Sequence, residues 1–125
     1  QKGSDVTLIA CGEMVKKAVD AAEILAKEGI SASVIDMYCV KPLDKKAVVE
    51  AAQNTKLVVT VEEHAPFGGL GSMVSQVVAE CSKKVINIAL PDAPVITGNS
   101  QEVFAYYGMD GEGIAKSARQ ALFAE

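Results

Sequence analysis

Short apolar runs alternate along this chain with segments whose apolar residues recur every three or four positions. Val6-Thr7-Leu8-Ile9-Ala10 is the kind of mostly apolar run that a strand covered on both faces requires. After Gly12, apolar residues at Met14, Val15, Ala18, Ala22, Leu25 and Ala26 fall on one helical stripe, while Lys16, Asp20, Glu23 and Lys27 take the other side. Gly29 stands where a helix C′ residue belongs. A second strand reads Ala32-Ser33-Val34-Ile35-Asp36-Met37, and Pro42-Leu43-Asp44 supplies a turn and an N-cap for a helix through Ala47, Val48, Ala51 and Ala52.

Leu57-Val58-Val59-Thr60-Val61 is the clearest strand pattern. It runs into Glu62-Glu63-His64 and a glycine-rich loop from Ala65 to Ser72. A third helix follows, with apolar residues at Leu70, Met73, Val74, Val77, Val78 and Cys81. Val85 to Leu90 forms a fourth strand whose partial alternation suits a sheet edge. Pro91 to Gly98 reads as a loop with room for a short strand at Val95-Ile96. A short helix is predicted from about Gln101 to Tyr107, and a last helix begins near Asp110 with Ile114, Ala118, Ala121 and Leu122 on one face. Strand and helix in alternation predict one open, mostly parallel sheet with helices on both faces.

The 125 residues fit one domain. Half of them are hydrophobic, and with only 5% aromatics and no Trp the core must be aliphatic. A net charge of −4 and the lack of any basic run beyond Lys-Lys pairs exclude nucleic acid as a main partner. No apolar stretch approaches the roughly 20 residues that span a bilayer, so no membrane role is expected. Three cysteines without a Cys-x-x-Cys pair read as reduced thiols in a cytoplasmic protein. The chain opens at Gln1 and enters a strand within about five residues, which reads as processing or as excision from a longer protein.

Ligands of open α/β sheets bind beyond the carboxyl ends of the strands. After the first strand, Ala10-Cys11-Gly12-Glu13-Met14 carries one of the three glycines of a dinucleotide fingerprint. After the third, Gly68-Gly69-Leu70-Gly71-Ser72 opens a helix. Such a turn could hold an anion on its amides, or could simply allow a tight bend and a close backbone approach. It lacks the lysine of a Walker A loop. Glu62, Glu63 and His64 are consecutive and cannot all point into one pocket from a strand. Asp110-Gly111-Glu112-Gly113 hints at a magnesium-diphosphate loop, but Asp110 reads better as a helix N-cap. No triad or metal-ligand spacing is found, so no catalytic, cofactor-binding or metal-binding residue is assigned. The third helix carries one charge, Glu80, from Gly69 to Ser82. A neutral outer side of Ser72, Ser75 and Gln76 suits either a covered helix or a plain surface one.

From Gly3 to Gly12, through Ala21 to Ala26, Glu28 to Ala32 and Val34 to Met37, the chain resembles the C-terminal domain of transketolase-type enzymes. Lys41-Pro42-Leu43-Asp44, Val59-Thr60-Val61-Glu62-Glu63-His64, Gly68-Gly69-Leu70-Gly71-Ser72 and Tyr107-Gly108-Met109-Asp110 extend the resemblance over essentially the whole chain. 1-Deoxyxylulose-5-phosphate synthases and the E1 β-subunits of 2-oxo acid dehydrogenases are related. The resemblance implies a three-layer α/β/α domain spanning residues 1–125 as a fragment of a larger enzyme, with a sheet of about five strands, one antiparallel. It implies a parent enzyme that uses thiamine diphosphate and a divalent metal such as magnesium to transfer a two-carbon ketol unit between sugar phosphates, as in pentose phosphate metabolism. Neither cofactor is expected to bind this domain. The implied partners are the pyrimidine-binding and diphosphate-binding domains, on the same or a separate chain, and a second copy in a homodimer. Glu62, Glu63, His64, Gly68, Gly69, Gly71 and Ser72 are then domain-contact candidates. A stand-alone module for an anionic small molecule is the competing reading.

Overall fold

A computed structural model of the chain describes residues 2–63 and 68–124. Four strands, β1 (Val6–Ala10), β2 (Ala32–Asp36), β3 (Leu57–Val61) and β4 (Lys84–Ile88), form one sheet in the order β2-β1-β3-β4. Every pairing is parallel, with Ala10 level with Asp36 on one side and Val61 on the other, and Val61 level with Ile88. The helices are α1 (Met14–Lys27), α2 (Lys45–Asn54), α3 (Leu70–Ala79), α4 (Ser100–Tyr106) and α5 (Gly111–Phe123).

The period-2 geometry of a strand splits the core in two. Val6, Leu8 and Ala10 of β1 and Leu57, Val59 and Val61 of β3 face α1, α4 and α5. Ile9 and Val58 face α2 and α3. β1 and β3 are therefore buried throughout, whereas β4 at the edge is only half-buried, as its alternation predicts. The α/β/α layering expected from the sequence holds. The five-strand sheet with one antiparallel member does not: among the described residues there are four strands and all are parallel. Val95 and Ile96 carry no strand pairing and stand exposed in the long connection between β4 and α4.

Local chemistry sets the helix ends. Asp44 caps α2 by accepting from the Ala47 amide at 3.0 Å, and Asp110 caps α5 through the Gly113 amide at 2.8 Å. α1 ends in a Schellman turn, in which the amides of Gly29 and Ile30 donate to Ala26 and Leu25. Gly29 takes φ 79°, which only glycine adopts without penalty, and Ile30 drops into the core. Ala26, expected on the buried stripe, is exposed; Ala21 is buried in its place. Arg119 of α5 grips Glu28 at the end of α1 with two bonds of 2.6 Å, which fixes the two helices side by side.

Candidate functional site

The order of strand addition reverses at β1: β2 lies to one side of it, while β3 and β4 lie to the other. This switch point opens a crevice of about 350 Å³ at the carboxyl end of the sheet, lined by Cys11 and Glu13 after β1, Val40 after β2, and Glu62, Glu63 and Leu70 around the β3–α3 connection. Wider hollows lie elsewhere. The groove of about 550 Å³ between β2 and α2 has its hydroxyls bonded within the chain, Thr7 to Thr55 and Ser33 to Gly3.

Glu62 is the central residue of the crevice. It directly follows β3 and is 2% exposed. A buried carboxylate is strongly unfavourable unless it is hydrogen-bonded, and Glu62 finds its partners at the start of α3. Oε1 accepts from the Leu70 amide at 3.0 Å and Oε2 from the Gly71 amide at 2.5 Å. The N-cap position of α3 is Gly69, which has no side chain to offer, so Glu62 acts as a cap delivered from the neighbouring strand. Its own amide donates to Ile88 O at 3.0 Å, which anchors the residue to the end of β4.

That cap requires Gly71. A Cβ there would lie 2.9 Å from Glu62 Oε2 and 2.8 Å from Asn87 Cγ. The close-approach reading of the loop thus falls on Gly71. Positive φ is found at Gly68 (74°), whereas Gly69 is at −102°. Gly68 also donates to Ser72 Oγ at 3.1 Å. Of the contact candidates, Glu62 and Gly71 are turned inward, Gly69 and Ser72 are half-buried, and Glu63 and Gly68 are exposed. His64 lies outside the described residues.

Two residues of this neighbourhood escape a reading of the sequence. Thr60, fully buried, donates to Asn87 Oδ1 at 2.7 Å, and Asn87 Nδ2 donates to Ser75 Oγ at 3.1 Å. The relay ties β3, β4 and α3 together. The signal is present in principle: a Thr and an Asn interrupt otherwise aliphatic strands.

Cys11 is half-buried, and its thiol is pushed above the usual thiol range, first by burial and then by the negative charges of Glu62 and Asp36. It is therefore a poor nucleophile at neutral pH. The loop does not fit a diphosphate, because the helix amides that would receive one already hold a carboxylate. Asp110 is likewise committed to the α5 cap. Among the described residues no group of three or more His, Cys, Asp or Glu side chains is placed to hold a metal ion, and no helix is long and apolar enough to cross a membrane.

The family described as "Transketolase, C-terminal domain" matches residues 1–114. An apulose-4-phosphate transketolase subunit of Phocaeicola vulgatus is 47% identical over 116 residues, covering 93% of this chain and 37% of that protein. The 1-deoxy-D-xylulose-5-phosphate synthase of Syntrophotalea carbinolica is 43% identical over 122 residues, covering 96% of this chain and 19% of that protein. A solved structure of a split-gene transketolase, described as an inactive β4 tetramer, superposes with a TM-score of 0.88 at 39% identity, over 98% of this chain and 40% of that one. This chain thus spans between a fifth and two-fifths of the length of these relatives. With the family match running from the first residue into α5 and the fold superposing closely, the chain belongs to the transketolase C-terminal domain family.

Proposed function

We propose that this chain is the supporting C-terminal domain of a thiamine diphosphate-dependent enzyme of the transketolase type, which transfers a two-carbon ketol unit between sugar phosphates. The domain packs against the pyrimidine-binding domain and stabilises the dimer, while cofactor and metal are held by the other domains. Three unpaired cysteines fit a reducing compartment such as the cytoplasm. Glu62 carries the reading: this carboxylate, buried at the switch point, is committed to the domain's own helix and is not free for proton transfer. The same carboxylate disfavours the stand-alone anion-binding module, since it repels a phosphate from the α3 amides.

Calorimetry and a ketol-transfer assay test this. The 125-residue chain alone should neither bind thiamine diphosphate nor turn over sugar phosphates, whereas the full-length protein carrying it should do both. Micromolar cofactor binding by the chain alone would overturn the reading. The 43% identity to a 1-deoxy-D-xylulose-5-phosphate synthase supports a second assignment within the same family. Formation of 1-deoxy-D-xylulose 5-phosphate by the full-length protein would select it.

A further inference from the structure

The large apolar side chains left exposed are not scattered over the surface. Tyr38, 91% exposed, stands two residues beyond β2, and Val95 and Ile96 occupy the connection that leaves β4. Ile96 is held by donating its amide to the Tyr107 hydroxyl at 3.1 Å. α4, which carries the 68% exposed Tyr106, is held at the same end of the sheet: the Lys17 ammonium, near the start of α1, sits 5.3 Å from the centre of the Phe104 ring. Only Phe123 lies at the opposite end, near the start of β4, where Lys84 donates to Ala121 O at 2.8 Å. Four of the five exposed large apolar residues described therefore crown the carboxyl end of the sheet.

The switch-point crevice opens at the same end of the sheet, with Val40, two residues beyond Tyr38, on its wall, and Glu13 also borders the hollow beside α4. The described lining of the crevice contains the carboxylates of Glu13, Glu62 and Glu63 and no lysine or arginine. The charge of this described lining is therefore negative. Apolar residues around a charged recess make a poor surface for water and a good one for a protein segment with an apolar strip and a cation.

We infer that the carboxyl end of the sheet is the face on which the rest of the enzyme docks, through a segment that covers Tyr38 and Tyr106 and places a lysine or arginine against the carboxylates of Glu13 and Glu63. The occupant is the part of the enzyme beyond this domain. In the split-gene transketolase and in the apulose-4-phosphate transketolase subunit the matched region fills only 40% and 37% of the chain, so the larger part of each must find a surface to pack on. The inference rests on the functional reading above and adds the face, the anchors and the charge of the partner segment.

The test uses the full-length protein carrying this sequence, with Tyr38→Cys, Tyr106→Cys and, as a surface reference, Phe123→Cys. Alkylation by iodoacetamide is followed peptide by peptide. Cysteines at 38 and 106 should react at least tenfold more slowly than the one at 123; equal rates overturn the docking face. A benzophenone amino acid at position 38 should cross-link to sequence outside these 125 residues. A cross-link to the same domain of a second copy, or none, overturns the choice of occupant. Ketol transfer by the unsubstituted protein is measured alongside. Activity with an unprotected position 38 counts against the face alone, and protection without activity counts against the functional reading alone.

Discussion

Gly71 and Glu62 stand so close that a methyl group on the Gly71 Cα would come 2.9 Å from the carboxylate oxygen that its own amide holds. The amide and the missing side chain are two halves of one requirement, because the carboxylate can reach the helix only if nothing projects from that position. Gly71→Ala forces either Glu62 or Asn87 to move, and overpacking of this kind costs about 1–3 kcal/mol. Ordinary helix propensity predicts the opposite sign, since alanine is favoured over glycine by about 1 kcal/mol in a helix interior. Urea denaturation reads the difference: a lower midpoint at unchanged m supports the close approach, and a raised midpoint refutes it.

Removing the cap itself gives a second measurement. Glu62→Ala leaves the Leu70 and Gly71 amides without their acceptor, at about 1–3 kcal/mol. If the clash at Gly71 is with the carboxylate, adding Gly71→Ala to this background should cost less than it does in the parent. The double-mutant cycle should show a coupling of about 1 kcal/mol or more. Strict additivity would mean that the methyl group meets Asn87 alone.

The strands, the α1 Schellman turn and the Asp44 and Asp110 caps are legible in the sequence because each is dictated by residues adjacent along the chain. The glycine-rich loop is legible as important but not as to why. Its two readings, anion cradle and close approach, use the same residues, and only the side chain of Glu62, eight and nine positions upstream of the amides it accepts from, decides between them. Asn87 is invisible for a similar reason. Its partners Thr60 and Ser75 come from β3 and α3, so its role exists only once β4 is paired. The antiparallel strand is an expectation from resemblance, and the pattern of the chain itself offers four clear strands. Ala26 is misplaced by periodicity because a six-residue apolar set is wider than the face that the sheet can cover.

Asp5 connects stability to pH. It accepts from Lys56 Nζ at 2.8 Å and from the Ser31 amide at 2.8 Å, and these bonds hold its carboxyl below the ordinary value of 3.8, with the Lys56 bond the larger cause. A carboxylate whose folded value is depressed stabilises the fold fully above its unfolded value and loses that contribution as pH falls through the folded value. Stability of the parent should therefore drop more steeply below about pH 4 than that of Lys56→Met, whose Asp5 keeps only the Ser31 bond. The two should differ most at neutral pH and converge in acid. Parallel pH profiles of the unfolding midpoint would show that the Lys56 pair contributes nothing.

The charge at the switch point predicts the behaviour of Cys11. Its thiol is raised by burial and by the neighbouring carboxylates Glu62 and Asp36, so at pH 8 less of it is thiolate than in a free thiol. Alkylation of Cys11 in the folded chain should be at least tenfold slower than in the unfolded chain, and Glu62→Gln should speed it up by removing one negative charge. Burial slows the reaction whatever the charge, so the Glu62→Gln comparison isolates the field. If that variant reacts at the parent rate while remaining equally protected from urea, the carboxylate exerts no field at Cys11, and the negative character assigned to the crevice rests on Glu13 and Glu63 alone.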